Sequence, residues 1–152
     1  MRKKIIPAKL YRKFVENMPL CCVDLVVENK DRFLLVKRKS NPEKGKWWPP
    51  GGRVFFGEKL VSASKRKLKE ELGIKKAKSI RFLGVEEALF EKGYFGGPIY
   101  SINSVFLVKI GNSQADRIKL DFKNHLDYKW FRKIPRDTHP YPKRFLKLAG
   151  FK

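Results

Sequence analysis

Apolar and polar positions follow two rhythms along this chain, one of period two and one close to period four. Leu20 to Glu28 (LCCVDLVVE) is an apolar run interrupted by Asp24, and Phe33 to Arg38 follows across Asn29-Lys30-Asp31, so the two predict a pair of strands joined by a short turn. Ser79 to Ala88 and Ser101 to Ile110 are also strand-like. They flank Phe90 to Pro98 (FEKGYFGGP), whose glycines predict a mobile flap. Asp127 to Phe131 is a short late strand on which Tyr128 and Trp130 share a face as packing residues. Helical spacing appears at Leu10, Phe14 and Val15 within Pro7 to Met18, and a closing helix is predicted for Tyr141 to Leu148 after a Pro-rich turn.

The longest helical signal lies between Glu58 and Leu72, which holds no Gly or Pro and places Leu60, Ser64, Leu68 and Leu72 four apart as one buried stripe. It predicts a helix of about four turns. Glu58 stands near its N-terminus, where the helix dipole favours an acid, and Gly73 follows its last turn as a capping glycine. Arg66 and Glu70, like Lys67 and Glu71, are four apart and face each other, so ordinary solvated ion pairs are one account of these charges. The other account starts from Pro49-Pro50-Gly51-Gly52, a turn that sets irregular backbone beside the helix. Carboxylates together with a free carbonyl are the hard oxygen ligands that Mg²⁺ accepts. Strands and helices mixed in this order predict an α/β fold, a mixed sheet sandwiched between helices, as one domain over residues 1–152.

With 152 residues and 42% apolar content the chain can bury a real core. No apolar stretch reaches membrane-spanning length and the N-terminus has no apolar signal core, so a soluble, cytoplasmic protein is expected. Cys21 and Cys22 are adjacent, have no metal-type spacing and are read as packing residues. Thirty-six Lys and Arg against fifteen Asp and Glu give +21, a charge that draws polyanions. An RNA-binding module is therefore a second hypothesis. The lysines are scattered through every segment and no RNA-binding signature accompanies them, which favours a solvated basic surface that steers small phosphorylated substrates. Abundant Lys and a single Gln, Gln114, would suit a heat-stable protein.

Gly52, five residues, Glu58, seven residues, Arg66, then Leu68, Glu70, Glu71, Gly73 and Ile74 resemble the Nudix hydrolase signature, G-x5-E-x7-R-E-U-x-E-E-x-G-U with U a large aliphatic residue. One specified position departs, since Lys67 stands where the family has its first Glu after the Arg. The resemblance implies the Nudix fold and Mg²⁺, or Mn²⁺ in its place, as cofactor. It extends over MPLCCVDLVVEN, FLLVKR, KGKWWPPGGRV and NHLDYKW, which are similar to the GDP-mannose mannosyl hydrolase branch, where the usual glutamate at the Lys67 position is also absent.

That branch converts GDP-mannose and water to GDP and mannose by attack at the anomeric carbon, and the resemblance carries its roles over residue by residue. His125 would be the catalytic base, since an ordinary imidazole accepts a proton near neutral pH. Arg38 and Arg53 would bind and neutralise the diphosphate, and Asp24 would arrange the sugar end. Metal ligands would be the Gly51 carbonyl, Glu71 and Asn124, with Glu70 keeping the paired carboxylates of general Nudix pyrophosphohydrolases. A homodimer and a nucleotide-sugar substrate are also implied, with no membrane partner. Asn124 is a methylene shorter than the branch's usual Gln, and Asn103 and Ser104 stand where the branch has a His-Tyr pair. Attack on phosphorus of a nucleoside diphosphate derivative or a nucleoside triphosphate is the alternative reaction. Arg38 beside Lys37 also fits plain strand-end charge, Trp47 and Trp48 fit either core or a platform for a base, and His139 between Thr138 and Pro140 fits a turn. Asp24 in an apolar strand demands a polar partner if buried.

Overall fold

The computed structural model describes residues 6–152. The elements run α1 (Ala8–Asn17), β1 (Leu20–Asn29), β2 (Arg32–Arg38), β3 (Trp47–Trp48), β4 (Gly51–Arg53), α2 (Leu60–Leu72), β5 (Ser79–Phe90), β6 (Ile99–Lys109), α3 (Asn112–Ala115), β7 (His125–Phe131) and α4 (Pro140–Leu148). All strands join one sheet in the order β3-β2-β1-β6-β5, with β4 added on β1 and β7 on β2.

The architecture turns on β1, which runs parallel to β6 on one edge and changes partner along the other. Cys22 to Asp24 pair antiparallel with β4, and Val27 to Asn29 pair antiparallel with β2. A two-residue turn, with Lys30 in the left-handed region at φ 58, closes the β1–β2 hairpin. Beyond Leu34, β2 is instead flanked by β3 and β7, where Val36 faces both Trp48 and Tyr128. Where β2 and β4 part, the sheet opens into a wedge.

Alternation along the strands fills both faces. Val23, Leu25 and Val27 pack with Leu34, Val36, Phe106 and Val108 beneath Ala63, Leu68 and Leu72 of α2. Val26, Phe33, Leu35, Val105 and Leu107 pack on the other face against Tyr141, Phe145 and Leu146 of α4 and against Trp48. Each such fully buried aliphatic side chain contributes about 1.5–3 kcal/mol. Helices cover both faces, as the α/β/α expectation required.

Several boundaries differ from the sequence expectation. Helix α2 begins at Leu60, because Glu58 turns back to accept the Phe55 N–H at 3.0 Å and bonds Arg66 instead of joining the helix. Its buried face is Ala63, Ser64, Leu68, Glu71 and Leu72, while Leu60 is 37% exposed. Gly73 closes the helix at φ 70, donating its N–H to the Lys69 carbonyl at 3.0 Å. Short strands β3 and β4 bracket the Pro49-Pro50 turn, β5 and β6 extend to Phe90 and Ile99, and β7 starts at His125, two residues earlier than predicted. The loop 91–98 is braced by a Gly93 N–H to Gly97 carbonyl bond of 2.7 Å, and Phe95 meets Tyr11 of α1 edge-on at 6.1 Å. His139 caps α4 as a turn residue, its Nδ1 accepting from the Tyr141 N–H at 3.1 Å. Of the two cysteines expected to pack, Cys22 is half-buried against the Val15, Leu20 and Ile99 cluster and lines the cavity, whereas Cys21 is exposed because neighbours on β1 point to opposite faces. No helix among the described residues is long and apolar enough to cross a membrane.

Candidate active site

The wedge between β2 and β4 is a cavity whose walls include Asp24 of β1, Arg38 of β2, Trp48 of β3, Gly51 of β4, Glu71 of α2, Asn103 of β6, His125 of β7 and Tyr141 of α4. Six strands and two helices thus each contribute a residue to one hollow.

Glu71 is its anchor. Buried on the last turn of α2, it accepts from the Gly51 N–H at 3.1 Å and from His125 Nε2 at 3.0 Å through Oε2, while Oε1 meets Lys67 Nζ at 2.7 Å. Burial acts to raise its pKa, but the His125 bond and the Lys67 charge outweigh burial and hold the carboxyl below its ordinary range. An ionised carboxylate only accepts, so Nε2 is the donor, and whenever the ring carries a single proton Nδ1 is left as the acceptor. The position of that proton follows from Glu71. His125 reaches this carboxylate because β7 pairs with β2 across a bulge that sets His125 opposite Arg38.

Asp24 lies on the other wall, where the alternation of β1 turns it towards α4. Asn103 Nδ2 donates to its Oδ2 at 3.1 Å and also contacts the Tyr141 hydroxyl, which in turn donates to Asp24. The polar partner demanded by the sequence is therefore this pair. Burial dominates and pushes the Asp24 pKa up to about 6, against the opposing effects of Tyr141 and Arg38. Burial and the Asp24 charge drive the Tyr141 hydroxyl upward as well. Trp48 stacks on the Tyr141 ring at 5.6 Å, so this tryptophan is both core and cavity wall. Trp47 is half-buried against Phe131.

Among the described residues three buried side-chain atoms have no hydrogen-bond partner within the protein: Arg38 Nε, Asn103 Oδ1 and His125 Nδ1. All three residues line this same cavity. Since a buried polar atom left unpaired costs about 1–3 kcal/mol, such a cluster marks a place where a ligand or water completes the bonding.

Asp24, Arg38, Gly51, Glu71 and His125 are thus brought together. Arg38 lies over the Trp48 ring at 5.8 Å. Arg53, Glu70 and Asn124 are outside the lining. The Arg53 guanidinium sits 4.8 Å from the Tyr11 ring centre, and its carbonyl accepts from Arg66 at 2.9 Å. Glu70 is exposed, bonded to Arg66 at 3.1 Å, and belongs to a neighbouring hollow with Glu58 and Phe55. Asn124 is exposed and its Nδ2 donates to Asp121 at 2.6 Å. Sequence reasoning did not assign Tyr141 or Ser101 to the site, and it treated Asn103 only as a departure from the branch. The need of Asp24 for a buried partner was the one signal pointing towards them.

A divalent ion fits the arrangement in a restricted way. Glu71 and the Gly51 carbonyl are hard oxygen donors on adjacent elements, yet no group of three His, Cys, Asp or Glu side chains able to hold a metal exists among the described residues. Mg²⁺ commonly binds through one or two carboxylates plus substrate phosphates, and that sharing matches the donors present.

Residues 19–134 match the model of the NUDIX domain. The low-salt glycan biosynthesis protein Agl8 of Haloferax volcanii is 32% identical over 143 residues, covering 93% of this chain and 88% of that protein. An ADP-ribose pyrophosphatase of Methanocaldococcus jannaschii is 45% identical over 87 residues, covering 55% of this chain and 49% of that protein. Among solved structures, a MutT NUDIX hydrolase from Burkholderia pseudomallei superposes with a TM-score of 0.72 at 25% identity, covering 88% of this chain and 99% of that one. The chain belongs to the NUDIX family and is a Nudix hydrolase.

Proposed function

We propose that this Nudix hydrolase acts on a nucleotide sugar, with GDP-mannose as the best-fitting substrate, and that water attacks the anomeric carbon. The observation that carries this reading is the Glu71–His125 pair: a buried carboxylate fixes Nε2 as the donor at 3.0 Å and leaves Nδ1 unpaired and basic at the cavity. Water held by Nδ1 gives up its proton there as its oxygen bonds to the anomeric carbon, while the bond from that carbon to the β-phosphate oxygen breaks and its electron pair leaves with the nucleoside diphosphate. Inversion at the sugar carbon follows. The imidazolium that forms stays beside the Glu71 carboxylate, which stabilises it. Arg38 offers its unpaired Nε to the diphosphate, and the Asp24–Asn103–Tyr141 group offers the sugar a set of acceptors. Gly51 and Glu71 would hold Mg²⁺, or Mn²⁺, which supplies charge neutralisation to the departing diphosphate. The similarity to a glycan biosynthesis protein over nearly the whole chain supports a sugar nucleotide.

The matched part of the archaeal ADP-ribose pyrophosphatase supports a second reading, in which water attacks phosphorus of a nucleoside diphosphate derivative. Incubation with GDP-mannose and with ADP-ribose, each with Mg²⁺, separates them. GDP and mannose from the first substrate are expected; AMP and ribose 5-phosphate from the second, with GDP-mannose untouched, would favour phosphorus attack.

A further inference from the structure

Lys67 is the one residue that breaks the metal-binding signature, and its side chain is not turned away from the site. Its Nζ lies 2.7 Å from Glu71 Oε1 and 3.4 Å from Glu70 Oε2, and its side chain is only 15% exposed. Its stem runs under the Gly51-Gly52 strand so closely that a Cβ added to Gly52 would stand 3.0 Å from Lys67 Cε. The packing leaves the ammonium little freedom to leave Glu71 while the site is unliganded.

We infer that Lys67 is a built-in cation that holds Glu71 Oε1 in the free protein, so that the site does not load a divalent ion ahead of its substrate and receives that ion only together with a diphosphate. Oε2 is already engaged by Gly51 and His125, which leaves Oε1 as the oxygen through which Glu71 would bind metal. An ammonium 2.7 Å from that oxygen repels a divalent ion bound to it at low effective dielectric, so Lys67 weakens metal binding at Oε1 unless it is drawn off. A diphosphate changes the balance: its oxygens give Lys67 an anionic partner besides Glu71 and Glu70 and bring the extra metal ligands that the described residues lack. Lys67 thereby takes over part of the neutralising work that a further acidic residue and its metal would otherwise perform. This inference rests on the reading of Glu71 as the metal-side carboxylate.

The test is Mn²⁺ binding to the free protein, followed by the electron paramagnetic resonance signal of unbound Mn²⁺, for the wild type, Lys67→Met, Lys67→Glu and Lys67→Met/Glu71→Gln. The expected result is weak binding to the wild type, binding tighter by about 10–100-fold in Lys67→Met and at least as tight in Lys67→Glu, and loss of the gain in the double variant. Wild-type binding as tight as that of Lys67→Met would overturn the role of Lys67. A gain that survived Glu71→Gln would overturn it too, because the ion would then bind elsewhere. Circular dichroism of each variant reports folding, and Lys67→Glu supplies a second, differently packed replacement. Turnover of GDP-mannose by the same wild-type preparation keeps the two readings apart: failure of the Mn²⁺ result with turnover intact overturns the role of Lys67 alone, and failure of both also removes the proposed function.

Discussion

Nε2 of His125, the first residue of β7, lies 3.0 Å from Oε2 of Glu71 on the last turn of α2, so two elements 54 residues apart meet at one buried bond. The bond settles which imidazole nitrogen carries the proton, and it makes the remaining nitrogen the group available to water. Replacing His125 with Gln should therefore lower kcat by about 10²–10⁴ while leaving the fold intact. Steady-state kinetics beside a thermal melt checks this. A kcat within a few-fold of wild type would remove His125 as base.

The two buried carboxylates should respond to pH with opposite signs. Asp24 has a folded pKa raised from 3.8 to about 6, so between about pH 4 and 6 the native state holds a proton that the unfolded chain releases, and stability falls as pH rises through that window. Asp24→Asn removes this cost. The variant should melt higher than wild type at pH 7.5, by an amount on the order of 5 °C, with the difference vanishing towards pH 4 and with impaired turnover. Glu71 is held below its ordinary value, so its contribution is present above pH 4.5 and is lost as the solution is acidified. Glu71→Gln should be less stable than wild type at neutral pH and should converge with it in acid. Melting curves across pH 4–8 for both variants test the pair.

Gly51 leaves no space for a side chain, because an added Cβ would overlap the Val23 carbonyl oxygen and Asp24 Oδ1. Gly51→Ala should push β4 off β1, cost about 1–3 kcal/mol and weaken the Gly51 N–H bond to Glu71. Chemical denaturation measures the first effect, and the loss of turnover at temperatures where the variant is folded measures the second.

Arg66 ties the loop before α2 to the helix. It bonds Glu58 at 2.7 and 2.9 Å, Glu70 at 3.1 Å and the Arg53 carbonyl at 2.9 Å, and its guanidinium lies 3.8 Å from the Phe55 ring centre. The Arg66 bond is the chief cause of the lowered pKa of Glu58. Arg66→Ala should destabilise by about 1.5–3 kcal/mol, as expected for lost hydrogen bonds to charged groups, and should lower turnover indirectly by loosening β4, which carries Gly51. Arg66→Lys, which keeps charge but loses the fork, should recover only part of the stability.

What the sequence made legible was local. The offsets from Gly52 to Ile74 and the apolar alternation of β1, β2 and β6 are short-range patterns, and they located the helix, the sheet and Glu71. The stripe drawn through Leu60, Ser64, Leu68 and Leu72 was partly misread for a geometric reason: steps of four residues drift by about 40° each on a helix of 3.6 residues per turn. Across three steps that drift turns Leu60 away from the core and brings Ala63 and Glu71 in. Asn103 and Tyr141 lie 79 and 117 residues from Asp24, so their meeting is a product of the sheet order and of α4 docking, which no local pattern encodes. Arg53 and Asn124 show the limit of carrying roles over by position. The motif fixes where the backbone goes, but aromatic rings and Asp121 determine where these side chains point.

The most direct test of the carbon-attack mechanism is hydrolysis of GDP-mannose with Mg²⁺ in ¹⁸O-labelled water, with the products resolved by mass spectrometry. The account predicts unlabelled GDP and mannose carrying ¹⁸O at its anomeric oxygen. GMP with mannose 1-phosphate, with the label on a phosphate, would contradict it.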